Sequence, residues 1–81
     1  MISAVILVNT HVGEENKVLE SIKRVEGVEE AHALWGIYDL FVKITAQSVD
    51  KLKEIIKFRL RQLAGVSNVL TLMVVEGAQT T

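Results

Sequence analysis

The chain has 81 residues, no cysteine, 49% apolar side chains and nine Lys and Arg against ten Asp and Glu, for a net charge of -1. That length makes one domain whose core is only just sufficient, the charge excludes an overall basic field drawn to nucleic acid, and the lack of cysteine excludes disulfides and Cys-based zinc sites. A mean hydropathy of +0.32 is high for so small a sphere, so part of the apolar content is expected to be buried against other copies of the chain.

Taken in order, residues 2–9 read as a β-branched strand with Ala4, Ile6 and Val8 on one face and Val5 and Leu7 on the other, a strand covered on both sides. Its apolar run falls far short of the roughly 20 residues that span a bilayer. With no basic start and no small-residue cleavage site it is not an export signal, so the expected compartment is the cytoplasm. A loop follows over residues 10–13. Residues 14–25 have helical spacing, with Val18, Ile22 and Val25 on one stripe, Leu19 beside them, and Gly27 placed to stop the helix.

Residues 28–35 and 40–45 read as two strands joined through Gly36-Ile37-Tyr38-Asp39, where Gly tolerates positive φ and Asp favours turns. After the turn, Leu40, Val42 and Ile44 share one face, and Phe41, Lys43 and Thr45 the other. An aromatic, a carboxylate and backbone amides at one hairpin tip make a place to catch something small. Asp39 has two readings here, a carboxylate bonding its own turn or a ligand contact.

Ser48 is placed to cap a second helix over residues 49–63, with Leu52, Ile55, Ile56, Leu60 and Leu63 as its apolar stripe. Its basic outer face, Lys51, Lys53, Lys57, Arg59 and Arg61, is read as a solvated surface rather than a nucleic-acid patch. Phe58 falls off the stripe. After Gly65, residues 66–76 form a last strand with Val69, Met73 and Val75 on one face and Leu70, Leu72 and Val74 on the other. Residues 1–76 make the domain and residues 77–81 a short polar tail.

The order β-α-β-β-α-β, and a weak repeat in which each helix ends on a Gly-Val pair, predict an α+β, ferredoxin-like sandwich: a four-stranded antiparallel sheet with both helices on one face. Two helices cover one face only, so the other is expected to dimerise, sheet on sheet. Trp35, Phe41 and Met73 are the candidate interface side chains.

In this strand order, Gly36-Ile37-Tyr38-Asp39-Leu40-Phe41-Val42-Lys43-Ile44 and the Gly-Val pairs resemble the effector-binding (RAM) domain of the Lrp/AsnC transcription regulators, over residues 2–76. Beginning at the first RAM strand, the sequence resembles the stand-alone members that lack the DNA-reading helix-turn-helix, or else a fragment of a longer one, and no direct DNA binding is expected of it. The resemblance also implies dimers that assemble into a ring such as an octamer, and a free amino acid bound where the hairpin meets a neighbouring dimer. Carried over by position, the ligand-binding residues are Gly36, Ile37, Tyr38 and Asp39, with Ala33 and Arg61 as additions. Full-length Lrp/AsnC relatives are the implied protein partners. The chain departs from the family pattern at Trp35, where a small hydroxyl residue is common, and at Val69, where one of two threonines is common.

A small dimeric ferredoxin-like enzyme is the rival of another class, but no nucleophile stands beside a base, no carboxylates are paired and no Gly-rich phosphate loop follows a strand. No catalytic residue or cofactor is therefore expected, and His11 and His32 are too few for a metal site. An ACT-like regulatory module is the second rival, and it places its site in the loop of residues 9–13. A structural oligomer that joins full-length relatives is the third.

Overall fold

The computed structural model describes residues 1–73. Its elements are β1 (Ile2–Thr10), α1 (Glu15–Ile22), β2 (Val28–Ala33), β3 (Leu40–Ala46), α2 (Val49–Ile55) continued by a π-helical turn (Ile56–Leu60), and β4 (Val66–Met73). The strands lie in the order β2-β3-β1-β4, every neighbouring pair antiparallel, which is the expected ferredoxin-like sheet. The last three residues of the strand expected over 66–76, and the tail 77–81, lie outside the described residues.

The central strands set the core. Ala4, Ile6 and Val8 stand opposite Ile44, Val42 and Leu40, and all six are fully buried. From the helices, Val18 and Ile22 of α1, Leu52 and Ile55 of α2, and Ile56 and Leu60 of the π-helical turn close over them. The helices pack on β2 and β3. Among the described residues no polar side chain is buried, so the core is held by apolar burial alone, each such side chain contributing about 1.5–3 kcal/mol.

Both helices are shorter or less regular than their apolar spacing predicts. α1 ends at Ile22 rather than Val25 because the exit tightens to three-residue bonds, Arg24 N to Ser21 O at 3.2 Å and Val25 N to Ile22 O at 3.0 Å. α2 keeps its expected cap, with Lys51 N donating to Ser48 Oγ at 3.1 Å. Its C-terminal half widens into a π turn closed by Arg61 N to Ile56 O at 3.0 Å. The wider turn draws Ile55 and Leu60, five residues apart, toward one face, and both are buried.

Two glycines lock the helix exits to the sheet. Gly27 has φ +95° and Gly65 φ +96°, left-handed values that side chains resist. A Cβ on Gly27 would lie 2.8 Å from the carbonyl oxygen of Thr45, and one on Gly65 would lie 2.7 Å from Val18 Cγ2. Gly27 O accepts from Thr45 N and Gly65 O from His11 N, both at 2.9 Å. The sequence repeat therefore marks two equivalent joints.

The face away from the helices carries Val5 and Leu7 of β1, Phe41 of β3, and Leu70 and Leu72 of β4, which are adjacent by register. Leu70 and Leu72 are 40% and 47% exposed. Along β2 the register shifts between Val28 and Glu30. Glu29 and Glu30 both reach residues of this open face: Glu29 lies 3.7 Å from Lys43 Nζ and accepts from Thr45 Oγ1 at 3.4 Å, and Glu30 lies 2.9 Å from His32 Nε2. The result is an apolar strip with a charged border.

Candidate functional site

The hairpin between β2 and β3 is a six-residue loop, residues 34–39, closed by Leu34 N donating to Asp39 O at 2.8 Å. It differs from the tight turn expected at Gly36. That glycine does not have positive φ, because a loop this long reverses the chain without a left-handed residue. A Cβ at Gly36 would meet nothing within 4 Å, so the local backbone is open to approach. Trp35 stands fully in solvent and Ile37 is 88% exposed, whereas Tyr38 and Asp39 are half-buried at the base.

Asp39 does not bond its own turn, as one of its two sequence readings has it. Its Oδ2 accepts from Thr10 N at 2.8 Å and from Thr10 Oγ1 at 3.4 Å, and its own amide donates to Val8 O at 3.0 Å. The register of β1 against β4 shifts between Asn9 and Thr10, and the Thr10 amide turns to this carboxylate. Asp39 thus pins the hairpin to the end of β1, and Oδ1 makes no hydrogen bond among the described residues. Asp39→Ala is expected to lower stability by about 2 kcal/mol, as for a lost bond to a charged acceptor. Urea denaturation measures the loss, hydrogen exchange at the Thr10 amide should accelerate, and Asp39→Asn should recover most of both.

This contact also joins two loops that the sequence treats as rival sites. Residues 9–13, where an ACT-like module would bind, touch the Gly36–Asp39 turn through Thr10, so one end of the sheet carries both. Thr10 and Leu34 are site residues that the sequence reading missed. Thr10 and Asp39 are 29 residues apart, and only the pairing of β1 with β3 brings them together.

The remaining expected residues are scattered. Ala33 ends β2 and is exposed. Arg61 lies beyond β1, beside β4, in hollows that contain none of the turn residues, so one chain alone does not bring Arg61 to the hairpin. Of the expected interface side chains, Phe41 lies on the open face and Trp35 at the hairpin tip. Met73 stands opposite Ala4 and therefore on the helix side, where a sheet-on-sheet contact does not reach it. Phe58 is exposed, with Lys57 Nζ 5.5 Å from its ring centroid. Among the described residues no three His, Asp or Glu converge for a metal, and no helix is long and apolar enough to cross a membrane.

The antiparallel order β2-β3-β1-β4 with both helices on one side defines a small α+β domain of the ferredoxin-like class. The chain belongs to the Lrp/AsnC ligand binding domain family, whose match runs over residues 3–80. It is similar to an uncharacterised HTH-type transcriptional regulator of Pyrococcus horikoshii, PH1916, at 32% identity over 59 residues, covering 73% of this chain and 39% of that protein. The match thus spans well under half the length of that relative. Among solved structures, FFRP-DM1 superposes with a TM-score of 0.89 at 29% identity, over 93% of this chain and all of that one. The regulator NMB0573 of Neisseria meningitidis, solved as a complex with L-Met, has the same fold, with a TM-score of 0.83 at 17% identity, over 99% of this chain and 53% of that one.

Proposed function

We propose that the chain is a non-catalytic, oligomeric sensor of a free amino acid that modulates transcription or metabolism through ligand-linked assembly or partner binding in the cytoplasm. The observation that carries this reading is the hairpin tip, a half-site: open backbone at Gly36, a carboxylate oxygen of Asp39 without a partner among the described residues, and apolar side chains of Trp35 and Ile37 that find no cover in their own chain. The carboxylate suits an ammonium group and the open amides suit a carboxylate. A second dimer supplies the missing wall, and Arg61 would enter the site only from a neighbouring chain. The family and the methionine-bound Neisseria regulator support the ligand class.

Sheet-on-sheet pairing through Val5, Leu7, Phe41, Leu70 and Leu72 builds the dimer, and hairpin contacts build a larger ring such as an octamer. A ligand seated at the junction favours the assembled form and shifts the population toward it. Full-length Lrp/AsnC relatives are the protein partners this mode of action fits. A thermal-shift screen against the common amino acids tests it. One of them, at about 100 times its dissociation constant, should add about 2.7 kcal/mol of stability, with a larger particle by light scattering. A melting point unmoved by every amino acid overturns the sensing role.

A further inference from the structure

On the helix side of the sheet, β4 is an edge strand that the helices do not fully reach, since they pack chiefly on β2 and β3. A hollow of about 440 Å³ remains between β4 and the second helical segment, floored by Leu52, Ile56 and Met73, with Thr71 beside them. Its rim is Lys53, Lys57 and Arg61, one cation every fourth residue along a single helical ridge. Among the described residues no acidic side chain lines the hollow. Lys23, Lys43 and Lys51 each lie within 4 Å of a carboxylate, but the three rim cations make no ion pair among the described residues. Lys57 Nζ lies over the ring of Phe58, 5.5 Å from its centroid, a contact worth about 0.5–1 kcal/mol at an exposed site.

We propose that this hollow binds a small amphipathic anion, an aliphatic carboxylate whose tail lies on Leu52, Ile56 and Met73 and whose head group is held by Lys57 and Arg61. The volume falls in the range of roughly 300–1,000 Å³ typical of small-ligand sites and is too small for a docked helix. The carbon floor gives a hydrated phosphate chain nothing to stack on, and a net charge of -1 gives it no long-range attraction. Apolar burial below and charge-assisted bonds above are the two contributions that one short fatty carboxylate satisfies together. Within one chain the hollow is separated from the hairpin by β1, and Arg61 is the one residue common to the two proposed sites.

Methyl NMR with octanoate, 1-octanol, acetate and hexaglutamate decides the matter. Octanoate should shift the methyl resonances of Leu52, Ile56 and Met73 saturably, while 1-octanol and acetate, each carrying half of the chemistry, should bind far more weakly. The double variant Lys57→Gln/Arg61→Gln should weaken octanoate at least about tenfold, equivalent to 1.4 kcal/mol, and Met73→Trp, which fills the hollow, should abolish the shifts while the hairpin resonances stay put. Absent shifts, equal binding of 1-octanol, indifference to loss of the two cations, or stronger binding by hexaglutamate overturns the proposal, the last in favour of an acidic-peptide surface.

Discussion

Gly27→Ala is expected to cost about 2–4 kcal/mol of folding stability. The left-handed backbone at φ +95° accounts for about 1–2 kcal/mol with any side chain. The remainder comes from the new Cβ, which would sit 2.8 Å from the Thr45 carbonyl oxygen. Backbone in a central strand cannot give way, so the joint opens and the bond from Thr45 N to Gly27 O, 2.9 Å long, is strained or lost. For a domain of this size each kcal/mol lowers Tm by about 4–8 °C, so a fall of about 10–30 °C by calorimetry is the readout. Gly13→Ala is the control. Gly13 has φ +85° but nothing within 4 Å of a Cβ, so it should lose only the conformational part. Equal losses at the two positions would show that close approach to β3 contributes nothing.

The second large effect concerns assembly. Phe41→Glu should raise the dissociation constant of the proposed dimer at least about a thousandfold, roughly 4 kcal/mol, because an unpaired carboxylate would be buried at the centre of the contact. Phe41 is half-buried in the single chain, between Leu7 and His32, so the folded monomer should survive with little change in its far-UV spectrum. Sedimentation equilibrium of wild type and variant reads the difference. Lys53→Glu, on the opposite side of the molecule, should leave association intact. A wild-type chain that sediments as a monomer at micromolar concentration, or a variant that still pairs, removes the sheet-on-sheet arrangement.

How far the sequence was legible follows from what kind of information each feature needs. Period-two alternation put Leu40, Val42 and Ile44 on the buried face and Phe41 on the open one, and the same rule put Ala4, Ile6 and Val8 on one face of β1 without saying which way that face points; groupings of this kind need only one strand at a time. The two glycine joints were likewise readable, because a helix stripe ending in Gly is a local signal. Features that depend on two distant segments were not. Asp39 was singled out, yet its partner Thr10 lies in another strand, and a turn-forming role was the nearest local guess. Gly36 was assigned a left-handed turn because the loop length was misjudged when the strand was carried on to Trp35 instead of ending at Ala33. Met73 was grouped with the interface without a register to say which side it faced. The π turn and the register shift beside Glu29 leave no periodic trace, since each is a single extra residue absorbed into an otherwise regular run. The hollow beside β4 depends on how far the helices reach, which composition does not encode.

The paired carboxylates at the kink in β2 have a last consequence. An outermost strand with free amides and carbonyls is a template on which further chains can stack indefinitely, and a sequence this rich in valine and isoleucine is poor at resisting that fate. Two adjacent negative charges and a broken ladder make that rim a bad landing place for an identical rim. Edge-to-edge stacking of copies through this rim is thereby disfavoured.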